Sequence, residues 1–136
     1  MSAKSAPARP MPRLYLATPV VDDAAALAAL LPDVLASADV AAVLLRLSDS
    51  DPRTLLGRIK TLAPIVQSAG AALLLEGHAD LVARGGADGA HLTGLEAMQE
   101  TLPSLKPDRI VGVGGLHTRH DAMVAGEAGA DYVLFG

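Results

Sequence analysis

The residues able to do chemistry in this chain fall just after short apolar runs. They are Arg46 and Ser48, then Glu76 and His78, then His91, Thr93 and Glu96, and finally Gly112-Val113-Gly114-Gly115-Leu116-His117-Thr118. Thr18 follows the first such run. Arg46, between Leu45 and Leu47, supplies a charge that suits either a bound anion or an ion pair with Glu76. Gly114-Gly115 lets backbone amides approach a phosphate, or only permits a sharp turn. Glu96 fits the first turn of a helix, where an acid is stabilised by the positive end of the dipole. His91, inside an apolar run, reads as a core histidine with a partner, whereas His78 and His120 read as helix-surface residues. Thr118, with Asp121 three residues on, resembles a helix cap that would fix the neighbouring His117 imidazole.

These residues need elements to hold them. Strand patterns occur at Leu14–Ala17, Ala41–Leu47, Ala71–Leu75, Gly89–Leu92, Arg109–Val113 and Asp131–Phe135. They are short, almost wholly apolar and free of strict alternation, as parallel strands buried on both faces should be. Helix patterns lie between them at Asp22–Ser37, Pro52–Ala69, Ala79–Arg84, Leu95–Leu102 and Arg119–Ala128. Asp51 before Pro52 makes a helix start, Pro32 is expected to interrupt the first helix, and Pro64 to kink or split the second. An Ala-Asp pair recurs at Ala38-Asp39, Ala87-Asp88 and Ala130-Asp131, twice with a Gly before it (Gly86, Gly129). Each pair sits where a helix ends and a strand begins, so the repeat reads as one recurring turn. The alternation predicts an α/β fold, a (β/α)₈ TIM barrel with about six of its eight units present. An open doubly wound sheet is the competitor, and Thr18-Pro19-Val20 is not the Gly-rich loop it requires. The polar residues at the strand ends would then share one mouth.

Bulk properties narrow the class. The 136 residues are 51% hydrophobic but only 2% aromatic, so Ala, Val, Leu and Gly fill the core. A net charge of -4 and the absence of Lys/Arg runs argue against nucleic acid and membrane surfaces as partners. With no cysteine, disulfides, thiolate zinc sites and thiol catalysis are excluded. Residues 1–12, with three prolines and no apolar core of a signal peptide, read as a disordered leader to a cytoplasmic domain spanning 13–136.

Two segments carry a resemblance. Ala87-Asp88-Gly89-Ala90-His91-Leu92 and Gly129-Ala130-Asp131-Tyr132-Val133-Leu134-Phe135-Gly136 resemble the A-D-G-V-H-L and G-A-D-Y-V-x-F-G motifs of the thiamine-phosphate synthase and TenI (thiazole tautomerase) family. Ile110-Val111-Gly112-Val113, then His117-Thr118 and Asp121-Ala122, resembles its I-G-x-S-x-H-S-x-x-E-A stretch, with one extra residue in the Gly114–Leu116 loop. The resemblance implies thiamine biosynthesis and a small phosphorylated thiazole or pyrimidine as ligand. It makes His117 the catalytic proton-transfer residue and Arg46 a retained binding residue; with the other polar or glycine positions at the strand ends, Glu76, Thr93, Gly114, Gly115 and Thr118, it forms the candidate substrate-binding set. An imidazole, with an ordinary pKa of ~6.5, suits that work near neutral pH.

The chain departs from the synthase pattern in three places. Q-L-R-x-K becomes Leu44-Leu45-Arg46-Leu47-Ser48, N-D becomes Glu76-Gly77, and H-L-G-Q-x-D becomes His91-Leu92-Thr93-Gly94-Leu95-Glu96. The family's Mg²⁺ carboxylate site is thereby degraded, leaving Glu96 as the candidate metal ligand. The departures favour the metal-free tautomerase branch, or a relative that binds its ligand without turnover; another phosphate-binding barrel is the reading outside the family. Gly136 falls where the family's sixth strand ends. Within these residues the first and sixth strands are therefore expected to be open edges without a protective lysine or bulge, to be paired by residues beyond Gly136 or by a partner such as a second copy in a homo-oligomer.

Overall fold

The computed structural model describes residues 13–135; the expected leader and Gly136 lie outside the described residues. Helices and strands alternate in the order β1 (Leu14–Val21), α1 (Ala24–Ala36), β2 (Val40–Leu47), α2 (Pro52–Ser68), β3 (Ala72–Glu76), α3 (Val82–Gly85), β4 (Gly89–Thr93), α4 (Leu95–Leu105), β5 (Ile110–Leu116), α5 (Arg119–Ala128) and β6 (Tyr132–Phe135). A 3₁₀ turn, Ala79–Leu81, leads into the short α3. All pairings are parallel and the six strands lie in chain order. Every crossover therefore steps in the same direction, which curls the sheet into a half-barrel; a doubly wound sheet would reverse order at a switch point.

One face of each strand packs under the helices. Val43, Leu45, Leu73, Leu75, Ala90, Leu92, Val111 and Val113 join Ile59, Leu62, Val66 and Met98 in a single buried cluster. Each large side chain withdrawn from water there contributes about 1.5–3 kcal/mol. The alternate residues face the lumen, the concave side of the sheet.

The recurring Ala-Asp turn has a definite task. Asp88 Oδ2 accepts the backbone N–H of Leu73 (2.8 Å) while the Asp88 N–H donates to the Leu73 carbonyl (2.8 Å). Asp131 repeats the arrangement with Val111, at 2.8 and 2.7 Å. The carboxylate thus satisfies a donor at the start of the preceding strand and fixes register between neighbours. Gly86 and Gly129 close the helices before these two turns with φ of 81° and 115°, a left-handed conformation that glycine alone adopts without steric cost. The third copy differs: Asp39 accepts from the Arg13 side chain at 2.9 Å, and its carbonyl accepts the Leu14 N–H.

Several expectations need correction. Pro32 does not interrupt α1, Pro64 does not split α2, and α4 runs through Pro103 to Leu105. Each proline removes a single helical N–H donor. Buried residues on both sides of the ring, Leu31 and Leu35 in α1 and Ala63 and Val66 in α2, hold the flanking turns in place. The first strand continues past Ala17 to Val21, across a register shift between the Ala17–Leu44 and Val20–Arg46 pairs. Thr18 makes this continuation feasible: its buried Oγ1 accepts the Arg46 N–H (3.1 Å) and donates to the Pro19 carbonyl (2.8 Å). The β1 edge therefore does carry a bulge and a proline, two features that discourage edge-to-edge pairing.

Candidate functional site

At the C-terminal ends of β2 and β3, Arg46 Nε donates to Glu76 Oε2 at 3.0 Å, with the two side chains 43% and 41% exposed. The ion pair weighed from the sequence is thus formed, at the open end of the lumen. Among the described residues the Arg46 guanidinium uses only Nε in hydrogen bonding, so its terminal nitrogens stay available. Cross-strand register sets Glu76 beside His91, His91 beside Gly112 and Gly112 beside Tyr132, one layer across four strands.

His91 is 6% exposed. Its Nδ1 lies 2.7 Å from Tyr132 Oη, and the two rings stack with centroids 5.7 Å apart and planes at 20°. Tyr132 Oη also meets Tyr15 Oη from β1, the rings meeting edge to face at 5.4 Å. A chain of polar atoms therefore spans the lumen from the first strand to the last and ends on an imidazole. Burial lowers the His91 pKa, opposed by the nearby Glu76 charge, so the ring is neutral at pH 7. Burial raises the Tyr132 pKa above the ordinary phenol range.

Glycines on β5 make room for this layer. A Cβ on Gly112 would lie 1.9 Å from Tyr132 Cζ, and one on Gly114 would lie 2.8 Å from His91 Nε2. Gly114 and Gly115, expected in a loop, belong to β5 itself; Gly115 takes a φ of 69° where the pairing with β6 shifts register. A Cβ there would press on Thr93 Cγ2 at 2.8 Å. Both glycines therefore serve close packing of β4 side chains against the β5 backbone.

The remaining candidates do not gather into one group with Arg46 and Glu76. Thr93 ends β4 and is exposed; Glu96 is exposed in the first turn of α4. His117 follows β5, exposed and without a hydrogen bond to any described residue. Thr118 caps α5, its Oγ1 accepting the Asp121 N–H at 3.0 Å, as the sequence suggested. Ser48 is engaged in the scaffold: its Oγ donates to the Val21 carbonyl (3.2 Å) and accepts from Arg58 (3.3 Å). His78 sits in the turn after β3 with a φ of 50°, and His120 is exposed on α5. Among the described residues no three His, Asp or Glu side chains converge as a metal site. Glu76 is committed to Arg46 and Glu96 stands apart from any such group, so these residues do not make the carboxylate set Mg²⁺ takes.

Sequence reasoning passed over Tyr15 and Tyr132. A signal was present: they are the chain's only tyrosines, in a sequence 2% aromatic. Their separation of 117 positions hides the contact until the sheet curls.

A sequence-family profile described as "Thiamine monophosphate synthase" matches residues 14–136. The thiamine-phosphate synthase of Rhodospirillum centenum is 44% identical over 125 residues, covering 91% of this chain and 60% of that protein. The thiamine-phosphate synthase of Hyphomonas neptunium is 39% identical over 134 residues, covering 94% and 61%. The chain thus spans about three fifths of the length of these curated relatives. Among solved structures, thiamine phosphate pyrophosphorylase from Pyrococcus furiosus superposes with a TM-score of 0.75 at 21% identity, over 91% of this chain and 59% of that one. No helix among the described residues is long and apolar enough to cross a membrane.

Proposed function

Because the chain belongs to the thiamine monophosphate synthase family, we propose that its half-barrel is the first six units of a (β/α)₈ barrel whose mouth binds a phosphorylated thiazole or pyrimidine. The observation that carries this reading is Arg46. Glu76 holds its guanidinium through Nε at 3.0 Å, leaving the terminal N–H groups to meet a phosphate in the paired geometry that suits this side chain. Thr93 at the end of β4 and Thr118 at the start of α5 would flank the ligand, with Gly114 and Gly115 letting β5 pass close beneath His91 and Thr93.

His117 is the proton-transfer residue in this reading. The Thr118 cap anchors the helix start beside it, and the exposed ring can reach a ligand in the mouth. Tautomerisation suits the residues better than synthase chemistry, since it only moves a proton within the ligand. No step runs through Mg²⁺. Ser48, where the synthase pattern has lysine, is tied to Val21 and Arg58 and offers no charge to a diphosphate. That substitution also supports a second reading, ligand binding without turnover.

Calorimetric titration with thiazole phosphate and with hydroxymethyl-pyrimidine diphosphate tests the binding. Arg46→Ala should weaken it about ten- to a hundredfold, the range for losing charged hydrogen bonds. Unchanged affinity would refute the anion site. Thiazole tautomerase turnover that survives His117→Ala would remove His117 from the chemistry; Arg46-dependent binding with no wild-type turnover would select the second reading.

A further inference from the structure

The lumen holds a polar chain that the proposed function does not use. We propose that Tyr132 is a positioning residue: its hydroxyl donates to His91 Nδ1, with Tyr15 locking Tyr132 from the opposite edge, so that His91 presents Nε2–H to the ligand. The proposal rests on the reading of the lumen as the ligand site.

The geometry sets the direction of the chain. Tyr132 Oη has two neighbours, His91 Nδ1 at 2.7 Å and Tyr15 Oη, and only one proton to give. A phenol is a stronger donor than a neutral imidazole N–H, and an imidazole lone pair a stronger acceptor than a phenol oxygen. The consistent order is Tyr15 O–H to Tyr132 Oη, then Tyr132 O–H to His91 Nδ1, each bond polarising the next. A neutral imidazole that accepts at Nδ1 carries its proton on Nε2. Nε2 lies close over the Gly114 backbone, where a Cβ would crowd it at 2.8 Å. Among the described residues Nε2 has no hydrogen-bond partner, yet no buried side-chain N or O atom is left unpartnered. The Nε2–H is therefore open to the lumen. Stacking of Tyr132 on the imidazole, with Gly112 as the slot in which the phenol ring lies, prevents the ring from turning. Glu76, one strand away in the same layer, is held by Arg46, so anchor and donor face one space.

The readout is the nitrogen NMR signature of His91, assigned among the four histidines by its loss in His91→Gln. The wild-type protein should show Nδ1 as the unprotonated nitrogen and Nε2 as the protonated one. Tyr132→Phe, which keeps the ring and loses the hydroxyl, should give a mixture of the two tautomers and bind thiazole phosphate about three- to tenfold more weakly, the worth of one neutral hydrogen bond. Tyr15→Phe should shift the same signals by less, since the direct bond to Nδ1 remains. A wild-type ring protonated on Nδ1 overturns the proposal, and this arm needs no variant to fold. A tautomer ratio unchanged in Tyr132→Phe overturns it too. If the tautomers respond as expected but thiazole phosphate leaves Nε2 unmoved in the wild type, the ligand-facing role is lost, while binding that still depends on Arg46 leaves the lumen reading standing.

Discussion

Gly112→Ala is the sharpest probe of how the lumen is packed. The new methyl would stand 1.9 Å from Tyr132 Cζ, 2.1 Å from Cε2 and 2.2 Å from Oη. A main-chain shift is barred because β5 is paired on both sides, so the phenol ring must leave its place. Overpacking of this kind costs about 1–3 kcal/mol. Displacing the ring also forfeits the aromatic pair, about 1 kcal/mol, and the His91 hydrogen bond, about another 1 kcal/mol. The lower unfolded-state entropy of alanine returns about 0.5–1 kcal/mol. The net loss should be roughly 3 kcal/mol, or roughly 12 °C in Tm for a domain of this size. Gly114→Ala is the control. Its methyl would meet the tip of the His91 ring at 2.8 Å, a contact relieved by a small ring movement at about 1 kcal/mol. Thermal and urea unfolding followed by circular dichroism measure both, and a Tyr132→Ala background completes the cycle. There the Gly112→Ala penalty should nearly vanish, giving a coupling of about 2–3 kcal/mol. A Gly112→Ala cost under about 1 kcal/mol, or one that persists without Tyr132, would show that the ring does not occupy the glycine slot.

Other expectations follow from the turns and edges. Asp88→Ala should cost about 1–3 kcal/mol because the Leu73 N–H loses its acceptor, whereas Asp39→Ala, which breaks an exposed pair with Arg13, should cost under about 1 kcal/mol; the reverse order in urea melts would refute the latch. Burial opposes ionisation of Asp131, but hydrogen bonds from Lys106 and Val111 outweigh it and lower the pKa. A depressed folded-state pKa contributes stability that is present above the unfolded value of ~3.9 and is lost as pH falls through the folded one. Asp131→Asn should therefore flatten the acid limb of the stability curve below about pH 4, and an unaltered limb would remove Asp131 from the linkage. Leu134 is 54% exposed on the edge strand β6. The 136-residue chain expressed alone should self-associate in light scattering, and Leu134→Lys should reduce that association; a wild-type monomer with a cooperative melt would show the edge to be harmless.

The sequence determined the order and type of the elements because those depend on neighbours along the chain. Short apolar runs set the six strands, Asp51 before Pro52 starts α2, and Gly86 and Gly129 end helices where only glycine accepts the backbone angle. The Ala-Asp repeat marked its turns for the same reason, and Arg46 with Glu76 was legible as a possible ion pair and Thr118 as a helix cap. Local rules failed where packing outvoted them. Pro32, Pro64 and Pro103 stay inside helices because buried turns on either side cost more to unpack than one missing hydrogen bond. Tertiary structure alone decided that Thr18 bridges a bulge, that Gly112 is a slot for the Tyr132 ring, that Gly114 and Gly115 belong to the strand and not to a loop, and that Tyr15 meets Tyr132 and, through it, His91. Those contacts join β1, β4, β5 and β6, and their partners become neighbours only when successive crossovers curl the sheet around one lumen.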